Sequence, residues 1–265
     1  MKRLISYIIP VYNAEKVIEK CIKCILKQKL NKKFAKEVIV VDDGSTDNTI
    51  SIVKKFRSVK LVRKKHTGVA DTWNAGIRAA KGDILCLVDS DCFLPPEYTM
   101  KCLREIDKYE VVRGTPYVLK PKLSTTLKLL KFIVQPSSFM KIPHAFGEAC
   151  FVKKEVFSKI GLFRSFSSYA GGHDTELTIR ALRNKIKMKW YDDVFYTHDI
   201  FVGKVKKVDL KFRAKRLILY KYPEMKANLV HFDSIFFLKY FLMNIHYFFF
   251  FPLIIFLYFL LRGEL

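Results

Sequence analysis

Two carboxylates one residue apart, Asp89-Ser90-Asp91, close the apolar run Ile84–Val88. In an extended chain, residues i and i+2 point to the same side. Asp89 and Asp91 are therefore expected to aim at one point just past the C-terminal end of a strand, where open α/β sheets bind their ligands. Clustered acids in so basic a chain suit a shared divalent cation. Oxygen ligands favour Mg²⁺ or Mn²⁺, with water and a substrate diphosphate completing the coordination. A turn that the acids merely cap fits the motif equally well.

A second acidic strand end precedes it. The β-branched run Val38–Val41 stops at Asp42-Asp43, turns through Gly44, and offers Ser45, Thr46 and Asp47 as helix N-caps. Turn and cap chemistry accounts for Asp42 and Asp43 in isolation, but two acidic strand ends in one α/β repeat favour a ligand cleft. Further on, Gly171-Gly172 leads into His173-Asp174-Thr175-Glu176-Leu177. The glycines permit a flexible loop, and Asp174 falls near a helix N-terminus, where negative charge is favoured.

The elements that position these acids follow from periodicity. A strand over Leu4–Ile9 ends at Pro10-Val11-Tyr12-Asn13. A helix is expected from about Glu15 to Lys29, and another carries Ile50 to Phe56. A short strand at Val59–Val62 and a helix from His66 to Ala80 lead to the Asp89 strand. This alternation predicts a parallel sheet with helices on both faces. Beyond Pro95-Pro96 the pattern predicts a helix from Glu97 to Tyr109, a strand near Val111-Val112, a strand at 147–152 with a short helix to Ile160, and two strands at 187–191 and 194–197. No G-x-G-x-x-G or G-x-x-x-x-G-K-[ST] occurs, which argues against a dinucleotide fingerprint and a P-loop.

The 265 residues carry 48 Lys+Arg against 25 Asp+Glu, a net +23, so the partner is expected to be anionic: a phosphate-bearing substrate, a membrane surface or nucleic acid. The basic segments are interleaved with long apolar runs and hold no nucleic-acid recognition motif, so no nucleic-acid partner is expected. Cys21 and Cys24 form a C-x-x-C without a second ligand pair and share a helical face with Val17 and Ile25, which reads as buried core thiols in a reducing compartment.

Residues 119–142 alternate basic and apolar, as an interfacial helix or a solvated face of a packed one would. Residues 203–226 hold nine Lys/Arg, and Tyr240–Leu261 runs 22 residues without a formal charge. Such a helix is about 30 Å long, enough to cross a bilayer, and its basic N-terminal flank keeps the main domain cytoplasmic; Asn244, His246 and Pro252 interrupt the run, and a buried core helix or an in-plane anchor is the alternative. The expected organisation is a catalytic domain over 1–202, a basic juxtamembrane segment over 203–233 and a membrane-anchoring segment over 234–265, at the cell membrane.

Together, Ile8-Ile9-Pro10-Val11-Tyr12-Asn13, Val40-Val41-Asp42-Asp43-Gly44-Ser45-Thr46-Asp47, Asn74-Ala75-Gly76-Ile77 and Asp89-Ser90-Asp91 resemble, in order and spacing, family 2 glycosyltransferases of the GT-A fold. The resemblance implies a Rossmann-like mixed sheet flanked by helices and inverting sugar transfer from a nucleotide-diphosphate donor. It implies that Pro10, Tyr12, Val41 and Asp43, with Asp42, wall the nucleoside, and that Asp89, Ser90 and Asp91 hold the nucleotide and an Mn²⁺ or Mg²⁺ ion. Asp174 matches the family's catalytic base, although His173 stands where a Glu is usual. His198 matches a third metal ligand of some relatives. Arg213 and Arg216 resemble a basic R-x-x-R element that meets the donor diphosphate. The implied acceptor is a hydroxyl of a lipid-linked or cell-surface glycan. A polyprenyl-phosphate sugar synthase is the alternative, and the retained Asp174 favours the hydroxyl.

Overall fold

The computed structural model describes residues 2–118, 145–165 and 173–198. The first strand, β1 (Arg3–Val11), is buried from Ile5 onward, as a near-continuous apolar run must be when helices cover both faces of a sheet. Its neighbours β2 (Phe34–Asp42) and β4 (Ile84–Val88) both run parallel to it, and β3 (Val59–Arg63) runs parallel to β2. Helices α1 (Ile18–Leu26), α2 (Thr49–Lys54) and α3 (Val69–Ala79) make the crossovers. The expected α/β alternation is present, with helix ends trimmed by up to three residues.

Beyond β4 the sheet changes character. A two-residue strand β5 (Cys92–Phe93) and helix α4 (Tyr98–Cys102) come first. They are followed by β6 (Val111–Val118), β7 (Ala149–Lys153), α5 (Glu155–Ile160), α6 (His173–Arg183) and β8 (Met188–His198). The strand order is β3-β2-β1-β4-β7-β6-β8-β5. β7 lies antiparallel between β4 and β6, and β8 is parallel to β6. The sheet is therefore mixed, with one continuous parallel run, β3-β2-β1-β4, and a second parallel pair, β6-β8.

Three local expectations are corrected. The strands expected at 187–191 and 194–197 are one strand, because β8 stays paired to β6 across a register shift between Arg113 and Thr115. The helix expected to Tyr109 ends at Cys102 and tightens into a 3₁₀ turn over Leu103–Glu105. β5 was not expected at all; two residues are too few to show periodicity.

Alternate residues of the strands feed opposite faces. Ile5, Tyr7 and Ile9 pack with Ile18, Cys21, Ile22 and Ile25 of α1 and Tyr98 and Cys102 of α4. Ile8, Ile39 and Val41 pack with Trp73 and Ile77 of α3, Phe157 of α5 and Leu177 of α6. Cys21 lies in this core with a free thiol, and Cys24, also free, packs against it. The Asn74–Ile77 segment has a packing role. A Cβ on Gly76 would stand 2.2 Å from Ile8 Cγ2, so only glycine lets α3 lie this close to β1. Asn74 brackets Phe163, donating to its carbonyl (2.9 Å) and accepting from its N–H (3.0 Å), which ties α3 to the chain leaving α5.

Among the described residues no helix is long and apolar enough to cross a membrane. The segment 119–142, the basic segment 203–233 with Arg213 and Arg216, and the expected anchor over 234–265 lie outside the described residues.

Candidate active site

The sheet has its topological switch point between β1 and β4: the chain leaves β1 toward β2 and β3 on one side, then returns to place β4 on the other. At such a point the crossover helices lie on opposite faces and the strand ends splay into a crevice. The loops after β1, β2 and β4 all open there.

After β1, Pro10 and Val11 complete the strand, and Asn13 turns the chain at φ 51°. Asn13 Oδ1 accepts from the Thr46 N–H at 2.8 Å, locking this loop to the one after β2. Tyr12 is 48% exposed, and its ring stacks on His66 with centroids 4.2 Å apart. An aromatic face left open beside a crevice is suited to a planar ligand.

Val41 is buried at the end of β2. The two acids that follow have different structural roles. Asp42 is buried and accepts from the N–H groups of Gly44 (3.3 Å) and Ser45 (3.2 Å), which is turn chemistry. Asp43 is also buried, and it gathers Lys64 Nζ, the N–H groups of Thr67 and Gly68 (both 3.0 Å) and His66 Nδ1 (2.9 Å). Burial raises the Asp43 carboxyl, but Lys64 and the two N–H donors outweigh it, and its pKa lies below the usual carboxylate value. Sequence reasoning missed Lys64 and His66, since nothing local marks them as neighbours of Asp43.

The Asp89–Asp91 geometry differs from an extended strand. β4 stops at Val88, and the Cys92 N–H donates to the Asp89 carbonyl at 3.0 Å, so the acids sit in a tight turn. Asp89, Ser90 and Asp91 are each half-buried there. The turn delivers Cys92–Phe93 to the end of β8, where Cys92 pairs with His198. His198 Nε2 thereby lies 3.4 Å from Asp91 Oδ1. Donor atoms of Asp91, Cys92 and His198 all lie within 4.8 Å of one another.

Negative charge is crowded at this point. Burial and the Asp91 carboxylate push the Asp89 carboxyl up to about 7, with Glu148 and Asp174 adding to the effect and His198 opposing it. Burial alone would lower the His198 imidazole, but Asp91, Glu148 and Asp89 push it up to about 9. Carboxylates that destabilise one another around an imidazole fit a divalent cation, whose charge would relieve the repulsion. Asp91 and His198 would hold it, with Asp89 beside them.

Asp174 lies in the first turn of α6, half-buried, and its Oδ1 accepts from the Thr175 N–H at 2.7 Å. Its charge acts on Asp89, so the base candidate and the acidic turn share one electrostatic site. Glu176, two residues on, is fully buried and anchors the helix: it receives Arg180 Nε at 2.9 Å, while Arg180 Nη2 donates to the Leu162 carbonyl at 2.7 Å. The structure thus brings Asp89, Asp91 and His198 together, with Asp174 near enough for its charge to act on Asp89 and Tyr12 and Asp43 on the neighbouring strand ends.

A mixed sheet with a switch-point crevice and an acidic turn that meets a histidine defines a nucleotide-sugar-transferase type of fold. The sequence matches the family described as Glycosyl transferase family 2 over residues 6–161, and the chain belongs to that family. It is 35% identical over 109 residues to a chondroitin synthase of Pasteurella multocida, a match that takes in 40% of this chain and 11% of that protein. It is 24% identical over 214 residues to the Bacillus subtilis glycosyltransferase EpsJ, covering 74% of this chain and 60% of that one. The chain therefore spans less than two thirds of the length of these relatives. Among solved structures, S. aureus TarS 1–349 in complex with UDP-GlcNAc superposes with a TM-score of 0.63 at 23% identity, covering 83% of this chain and 66% of that one.

Proposed function

We propose that this chain is an inverting, metal-dependent glycosyltransferase that moves a sugar from a nucleotide-diphosphate donor, a UDP-sugar by preference, to a hydroxyl of a lipid-linked or cell-surface glycan. The observation that carries this reading is the meeting of Asp89, Asp91, His198 and Asp174 at the switch-point crevice, beside the open ring of Tyr12. The TarS complex with UDP-GlcNAc supports a UDP-sugar. A mannosyltransferase of Pyrobaculum calidifontis with GDP-Man and Mn²⁺, at TM-score 0.57, supports a divalent cation.

In this reading Tyr12 and the Asp43 loop seat the nucleoside. Asp91 and His198 would hold Mn²⁺ or Mg²⁺, which when bound would supply positive charge to offset the charge growing on the leaving diphosphate. Thr175 fixes one oxygen of Asp174, orienting the carboxylate to take the proton of an acceptor hydroxyl as that hydroxyl attacks the opposite face of the sugar. One displacement inverts the anomeric centre. Arg213 and Arg216 would meet the diphosphate, and the segments 203–233 and 234–265 would hold the catalytic domain against the cytoplasmic side of the cell membrane.

The test is a donor panel with the purified full chain in detergent, a lipid-linked glycan acceptor and, separately, a polyprenyl phosphate. Mn²⁺, Mg²⁺ and EDTA arms are run in parallel, and the product anomer is read by NMR. The expected result is an inverted glycoside from one UDP-sugar, lost in EDTA. Full turnover in EDTA would overturn the metal, and transfer only to the phosphate would overturn the hydroxyl acceptor.

A further inference from the structure

Behind the acidic turn stands a buried polar cluster that the mechanism above does not use. Arg113 of β6 is almost fully enclosed. It donates from Nη2 both to Glu148 Oε2 and to the Tyr196 hydroxyl (2.8 Å). Tyr196, on β8, donates a hydrogen bond from its hydroxyl to the same Glu148 oxygen. Glu148 Oε2 is thus committed twice. Its other oxygen, Oε1, faces His198 Nδ1 at 3.9 Å, while His198 Nε2 faces Asp91 on the far side of the ring. The backbone of Glu148 is held as well: its carbonyl accepts the Asp89 N–H at 2.8 Å.

The local conformation fits a demanding position. Gly147 stands at φ 87° and Glu148 at φ 55°. A glutamate in the left-handed region is strained and persists only where surrounding contacts over-determine it. Those contacts tie it to Asp89 through the backbone and to His198 through the side chain.

We infer that Glu148, braced by Arg113 and Tyr196, is a positioning residue that fixes the ring and tautomer of His198 for the divalent ion; this rests on the metal-dependent reading above. Glu148 Oε1, 3.9 Å from Nδ1, favours a proton on Nδ1 by its charge rather than through a direct hydrogen bond, and the Nε2 lone pair is then left toward Asp91, where a cation shared by the two would sit. A ligating imidazole whose second nitrogen is unheld loses orientation, and removing such a partner typically lowers metal affinity about 10–100-fold.

Glu148→Gln separates this role from a structural one. The amide has nearly the same shape, and Arg113 and Tyr196 claim its oxygen. Its NH₂ then faces Nδ1, so the negative charge that favours a proton on that nitrogen is replaced by the positive end of a dipole. The ring proton moves to Nε2, and the lone pair the cation needs is lost. Mn²⁺ binding is measured calorimetrically on the full chain without donor, for wild type, Glu148→Gln, His198→Ala and the double variant, with thermal midpoints as a check on folding. The expected result is at least a tenfold loss of affinity in Glu148→Gln at a near-unchanged midpoint, and no further loss when it is added to His198→Ala. Unchanged Mn²⁺ affinity in Glu148→Gln would overturn the inference and leave the metal reading standing. An equal loss with His198 already removed would do the same. A wild-type chain that binds no Mn²⁺ overturns both.

Discussion

Replacing Asp43 by Asn removes one charge from a pocket built around it. The side chains of Asp43 and Lys64 are 5% and 18% exposed, so the pair is shielded from the solvent that makes surface ion pairs weak. Breaking a buried pair by deleting one partner destabilises by about 3–5 kcal/mol. The amide oxygen of Asn still accepts one bond, which reduces the loss. Its NH₂, however, confronts either the Thr67 or the Gly68 N–H, and a stranded buried donor costs about 1–3 kcal/mol. Weighing these, Asp43→Asn should destabilise by about 2–4 kcal/mol. At about 2–4 °C per kcal/mol for a domain of this size, the melting midpoint should fall by about 4–16 °C at pH 7. The acid dependence supplies a second readout. The folded pKa of Asp43 lies below its unfolded value, so its stabilisation is fully present above about pH 4 and is lost as pH falls through the folded value. The variant should therefore lose less stability than wild type on acidification below pH 4. A midpoint within about 1 °C of wild type at pH 7 would refute the idea that Asp43 organises the 64–68 loop.

Asp174→Asn should lower transfer at least about 100-fold at an unchanged melting midpoint; wild-type turnover in the folded variant would remove Asp174 from the base position. Tyr12→Ala should weaken nucleotide binding by about two- to tenfold, the value of one aromatic stacking contact, with no loss of stability, because the ring is largely exposed; a titration followed by fluorescence reads it. In EDTA, the midpoint should fall as pH rises from 5 to 9. The folded pKa of Asp89, about 7, lies above its unfolded value, so the native state binds the extra proton between about pH 4 and 7. His198, raised to about 9, contributes stability that is present below about pH 6.5 and lost as pH climbs through 9. Both act in the same direction, and Mn²⁺ should stabilise more at pH 8 than at pH 6; Asp89→Asn should flatten the profile around pH 7.

Several features were legible in the sequence because they are local. The continuous apolar runs of β1 and β4 and the helical spacing of Val17, Cys21 and Ile25 have periods of two to four residues, so a short window reveals them. So does the stop of each strand at acids. The parallel half of the sheet, the core thiol of Cys21 and the candidate acids all follow from such windows. The turn that bends Asp89–Asp91 out of the strand direction did not, because a carboxylate-rich turn and an extended strand end share one composition.

Tertiary structure alone decided what surrounds those acids. Pairing Cys92 with His198 at the sheet edge places an imidazole beside Asp91. The antiparallel insertion of β7 between β4 and β6 sets Glu148 against the Asp89 backbone and Arg113. Lys64 and His66 reach Asp43 only because β3 lies beside β2. These neighbours come from β6, β8 and the segments flanking β3 and β7, and the energy that fixes them is sheet pairing and burial of the whole core. The sequence by itself marked the candidate acids and the strand and helix ends that present them. The packing of distant strands decided which charges meet, and hence that the Asp89 carboxyl is pushed up and that His198 faces Asp91.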